Sequence, residues 1–220
     1  MKIEITHPFK TTAHDLKSLF DNTNRLSTFM KKLENQSTKD PDRYDPKKYL
    51  GDGWEFLMEI FIKSRETDER IGISNYQIVK NVDDTGVDAI GINISGDKCV
   101  IQHKYKANTQ TFLTANKDHL SNMFSAAQTK YGVSTIQAEL EILKNNLDEK
   151  AFNKKLKKLE KSAKRHYIFT TAKGLHYYTD GEMFSGDVVV FGYKQMKAML
   201  DNNLSFWNLC RELISEKTKL

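Results

Sequence analysis

The stretch GVDAIGINISGDKCVIQHKYK, residues 86–106, decides how this chain is read. VDAIGINIS (87–95) and KCVIQHKYK (98–106) are rich in β-branched residues and are separated by Ser95-Gly96-Asp97. That composition predicts two antiparallel strands joined as a hairpin. Asp88 opens the first strand, and Gln102 and Lys104 lie near the end of the second. Side chains two apart on a strand share a face, so Gln102 and Lys104 point the same way. The hairpin then brings a carboxylate, an amide carbonyl and an ammonium together. His103, between them, faces the other side and reads as a packed or hydrogen-bonded histidine rather than a ligand.

Working outward, YQIVKNV (76–82) predicts a strand before the hairpin, with Asp83-Asp84-Thr85-Gly86 as a turn. Upstream, WEFLMEIFIKSR (54–65) is a helix pattern in which Trp54, Leu57, Met58 and Phe61 recur at helical spacing. Glu55 and Glu59, four apart, stack on a neighbouring stripe. Downstream, residues 116–131 read as a helix with Leu120, Met123, Phe124 and Ala127 inward. HYIFTTA (166–172) and DVVVFGY (187–193) read as strands, and Lys194–Leu200 and Ser205–Ile214 as closing helices. The order predicts an α/β chain with a mixed central sheet flanked by helices.

Two segments fall outside that core. Residues 1–48 read as an N-terminal region with one helix from Ala13 to Leu33, followed by the proline-containing linker NQSTKDPDRYDPKK. The main domain is expected over residues 49–220. Within it, residues 134–164 carry no proline or glycine and read as a long helix or helical hairpin, inserted into the domain.

The chain has 220 residues and a formal net charge of +5, compatible with a polyanionic partner without requiring one. Its two cysteines, Cys99 and Cys210, are far apart, so no disulfide framework or zinc spacing can be read. The opening MKIEITHPFK has no continuous apolar run, and no segment approaches the roughly 20 apolar residues of a membrane span. The expectation is an intracellular, cytoplasmic protein without a membrane partner.

Phosphodiester cleavage needs the residue types found here. Carboxylates hold Mg²⁺, a hard cation preferring oxygen ligands, and the ion activates water and offsets charge on phosphate. A lysine can orient that water or pair with the phosphate. Gly51-Asp52-Gly53-Trp54-Glu55, Gly86-Val87-Asp88 and Gln102-His103-Lys104 resemble the PD-(D/E)xK nuclease superfamily, and its Mrr-like branch in particular. The resemblance covers roughly residues 50–130 and 165–210. It implies a restriction-endonuclease-like three-layer α/β/α core and a DNA endonuclease dependent on Mg²⁺ or Mn²⁺, with a homodimer expected for duplex cleavage. Asp88, Gln102, Lys104 and Glu55 would be catalytic. Asp88, Gln102 and Glu55, with Glu59 as the other helical candidate, would hold metal. Gln102 replaces a carboxylate and Val87 stands where the family name has proline.

Other features carry weaker expectations. Lys106 and Lys117 near the site, and Lys154, Lys158 and Lys161 in the insert, are candidate DNA contacts. A lysine run is more often a solvated helix face. Phe206 and Trp207 read as core rather than a stacking platform, and Tyr177 and Tyr178 are undecided. Two rival readings stand: a non-catalytic DNA-binding or assembly module of the same fold, and an insert acting as a protein-partner arm.

Overall fold

A computed structural model describes residues 3–40, 44–79, 86–114, 117–159, 164–176 and 187–218. Its centre is a five-stranded sheet ordered β1-β2-β3-β5-β7: β1 (Ile73–Ile78), β2 (Ala89–Asn93), β3 (Lys98–Lys104), β5 (His166–Thr170) and β7 (Val188–Phe191). The first three strands are antiparallel neighbours, while β3, β5 and β7 run parallel. The sheet is therefore mixed, as expected. The hairpin closes where Asn93 takes both ends of the turn. Its backbone N–H donates to Asp97 O, its Oδ1 accepts from the Ser95 and Asp97 N–H groups, and Gly96 supplies the positive φ of +81°. A two-residue pair, β4 (Phe112–Leu113) with β6 (Gly174–Leu175), lies apart from this sheet.

Helices cover both faces. One face carries α3 (Pro46–Lys63) with α1 (Ala13–Phe20), α2 (Leu26–Ser37), α7 (Tyr193–Leu200) and α8 (Leu204–Lys217), all in one apolar cluster with Cys99 and Ile101 of β3. The other face packs Val100 and Ile168 against Leu120, Met123 and Ala127 of α4 (Leu120–Tyr131). Strand β3 is accordingly buried at all five positions from Cys99 to His103. Phe206 and Trp207 are core residues, as expected.

The N-terminal region differs from its reading. The helix expected over 13–33 breaks in two at the asparagine-rich middle. Asn22 takes a left-handed φ of +54°, and the Thr23 hydroxyl donates back to Leu19 O, ending α1. Both halves share the main core with Trp54, and the boundary expected after residue 48 falls inside α3. That helix begins two turns before Trp54. Asp45 accepts from the Lys47 and Lys48 N–H groups and Pro46 occupies the first turn, so the second proline of the supposed linker starts a helix. The insert resolves into the helical-hairpin alternative: α5 (Ile136–Asn146) and α6 (Glu149–Leu159), with Asp148 Oδ1 capping Ala151 N–H between them. No residue of α6 is buried. The base of the hairpin, at the start of α5, is tied beside the sheet by the Glu139–Arg165 ion pair and by Ile136 N–H donating to Asp187 Oδ2.

His166 opens β5, buried and stacked on Phe124 at 4.7 Å. Burial, then the charge of Arg165, lowers its pKa to about 4. Below the unfolded histidine value of 6.5 the unfolded chain binds a proton that the folded chain refuses until about pH 4. Stability therefore falls as pH drops through that window. His166→Phe removes this contribution. Urea titrations at pH 7 and pH 5 should show the wild type losing about 1–2 kcal/mol more than the variant.

Candidate active site

The helical acids sit on α3, four residues apart, and the structure gives them different jobs. Glu59 is fully buried. Its Oε1 accepts from Thr6 N–H at 2.9 Å, Thr6 Oγ1 at 2.8 Å and Lys63 Nζ at 2.7 Å, and its Oε2 from His7 N–H at 2.9 Å. A carboxylate offers about four acceptor sites. Glu59 is thus committed to holding an extended N-terminal strap against α3, which argues against the metal role considered for it. Burial raises its pKa, but the Lys63 and strap hydrogen bonds outweigh that and leave it lowered. Glu55, one turn earlier, is half-buried and accepts from His7 Nε2 at 3.0 Å.

Asp88 precedes β2. Its backbone N–H donates to Ile101 O and its Oδ2 accepts from His103 N–H at 2.6 Å. These two bonds straddle Gln102, so the hairpin holds Asp88 beside Gln102 along the backbone, but the expected convergence of their side chains with Lys104 in one cleft is not seen. Asp88 and Glu55 then line one cleft of about 930 Å³ with Tyr76, His7, Lys10 and Lys63. Burial, followed by the negative charges of Glu59, Asp88 and Glu55, raises the Tyr76 hydroxyl well above its ordinary value. Among the described residues, no three His, Cys, Asp or Glu side chains form a group that could hold a metal ion.

Gln102 and Lys104 are not among the residues lining the cleft. Gln102 points into the α4 side of the core, fully buried, and neither amide atom has a hydrogen-bond partner among the described residues. An unpartnered buried amide costs about 1–3 kcal/mol, so this group calls for a polar contact. Gly86 allows it room: a Cβ there would sit 3.1 Å from Gln102 Nε2, and its φ is +67°. Lys104 is half-buried at the end of β3, where its carbonyl accepts from Thr170 Oγ1 and Thr171 N–H. His103 does face the opposite side, packed against Tyr76 and Phe169. Burial is the main cause that lowers its pKa, to about 3.

Asp88 and Glu55 bring to the cleft the carboxylate oxygens that a hard cation such as Mg²⁺ or Mn²⁺ prefers, and the Gln102 amide is not part of that set. Among the candidate DNA contacts, Lys117, Lys154 and Lys158 are exposed. Lys106 is engaged in an ion pair with the buried Asp118. Lys161, Tyr177 and Tyr178 lie outside the described residues.

Sequence reasoning missed the strap. Thr6 and His7 are more than 45 residues from the helix acids they bind, and no spacing rule links a lone Thr-His-Pro to a distant glutamate. Compared with known proteins, the chain matches no family model, no curated protein and no solved structure.

Glu59→Ala leaves the Thr6 and His7 N–H groups and Lys63 facing a void. Chemical denaturation should report a loss of about 3–5 kcal/mol, the range for breaking a buried charge pair by deleting one partner. An effect below about 1 kcal/mol, the scale of a single ordinary hydrogen bond, would mean that the strap is not held through Glu59.

Proposed function

We propose that this chain is a divalent-metal-dependent DNA endonuclease with a restriction-endonuclease-like core of the PD-(D/E)xK superfamily. One observation carries the reading: Asp88, held beside Gln102 by the hairpin, shares a cleft with Glu55 of the preceding helix. The element order supports it as well, with α3, then three antiparallel strands, then α4, then a strand parallel to β3.

Asp88 and Glu55 would hold the ion; the Gln102 side chain, turned into the α4 side of the core, lies outside that set, against the ligand role expected for it. Bound Mg²⁺ or Mn²⁺ lowers the pKa of its water and neutralises charge on phosphate. The backbone of His103 orients Asp88 through the N–H bond to Oδ2. Lys104, on the same strand as Gln102, supplies a positive charge for the phosphate or the attacking water. Lys10, exposed at the cleft, adds a phosphate contact that positions without reading sequence. Cutting both strands of a duplex would take two copies of this site, so a homodimer is part of the proposal. No helix among the described residues is long and apolar enough to cross a membrane.

A second reading, a non-catalytic DNA-binding module, is favoured by two observations. Gln102 brings no charge, and the described residues hold no three-member metal-ligating group. Supercoiled plasmid incubated with Mg²⁺ or Mn²⁺ separates the two. The nuclease reading expects nicking or linearisation by the wild type. Asp88→Asn and Lys104→Ala should each lower it by about 100-fold or more, while DNA binding in Ca²⁺ is kept. A wild type that binds DNA but cuts no form of it under any divalent metal establishes the second reading.

A further inference from the structure

The strap does more than cover α3, because one of its residues spans both helical acids. The His7 backbone N–H donates to Glu59 Oε2, and its ring Nε2 meets Glu55 Oε2 at 3.0 Å. An ionised carboxylate only accepts, so the ring nitrogen is the donor. The ring is 5% exposed and packs edge-on to Phe56, which leaves it little freedom to turn away. The strap is pinned on both sides of His7. Thr6 donates twice to Glu59, and Phe9 lies against Tyr49 and Phe56. Lys63 also donates to Glu4 O, so α3 holds the strap along its length.

The chemistry of this arrangement is that of an outer-shell partner. A carboxylate on a helix can rotate about its side-chain bonds. A buried ring N–H fixed by its own backbone selects one orientation for the Glu55 carboxylate, and Glu55 lines the cleft shared with Asp88. We propose that His7 is a positioning residue that orients Glu55 toward a divalent cation, which makes the N-terminal strap part of the active site. This inference rests on the metal-dependent reading above.

The 220-residue chain without DNA, titrated with Mn²⁺ by calorimetry at one pH, tests it. His7→Phe keeps the ring packing and the backbone bond to Glu59 but removes the donor to Glu55. His7→Gln restores a donor. His7→Met is a second donorless variant should the phenylalanine fail to fold. Wild type should bind Mn²⁺ and Asp88→Asn should not. His7→Phe should bind about 10–100-fold more weakly at an unchanged Tm, and His7→Gln should recover most of the loss. In plasmid cleavage the same variant should lower kcat with KM for DNA kept. If His7→Phe and His7→Met bind Mn²⁺ like the wild type while Asp88→Asn does not, His7 is only a staple and the inference fails alone. It fails in the same way if a folded His7→Gln is as weak as His7→Phe. If the wild type binds no Mn²⁺, the metal reading falls and takes this inference with it.

Discussion

Strand β3 is closed off from water on both faces, and the architecture follows from that. Side chains alternate along a strand, so Cys99, Ile101 and His103 demand a cover on one side, and Val100 and Gln102 a cover on the other. The first cover is α3 with its supporting helices; the second is α4. Parallel pairing to β5 then requires a crossover, and α4 with the helical hairpin lies in that connection. Two polar residues, Gln102 and His103, sit at the most buried stretch of this strand. A chain selected for stability alone would put apolar groups there, and their presence directs attention to the adjoining cleft.

The buried Glu59 sets a second constraint. Removing a carboxylate from water costs several kcal/mol unless hydrogen bonds replace those lost. Four donors do so, and three of them come from the strap. The helix thereby gains a polar seam within an otherwise apolar surface, and the strap gains one register. Glu55, on the same stripe but less buried, meets the cleft instead. Two chemically identical residues a turn apart end up as a clamp and as a candidate ligand because the strap donates three hydrogen bonds to Glu59 and one to Glu55.

The α5–α6 hairpin stands at the other extreme. It buries little and carries exposed lysines on α6. Its attachment runs through polar contacts at its base, Glu139 to Arg165 and Ile136 to Asp187. Such an element contributes little to the core, so its lysines are left available to a polyanion, in keeping with the proposed DNA substrate.

Much of the fold was legible in the amino-acid order alone. The β2–β3 hairpin, α3 and the strands β5 and β7 follow from periodicity and turn chemistry, which are local properties. So does the placement of Asp88 beside Gln102, since register follows from the turn. The break at Asn22 and the start of α3 at Pro46 are also written locally, as an asparagine able to adopt positive φ and an Asp-Pro cap, but neither signal decides the matter without its surroundings. What the order of residues could not show was which acid is buried, that Gln102 turns into the core while Asp88 meets the cleft, and that His7 joins Glu55 to Glu59. Those depend on contacts between segments dozens of residues apart. A carboxylate's role is set by what desolvates it and what donates to it, and only the tertiary packing brings those partners within reach.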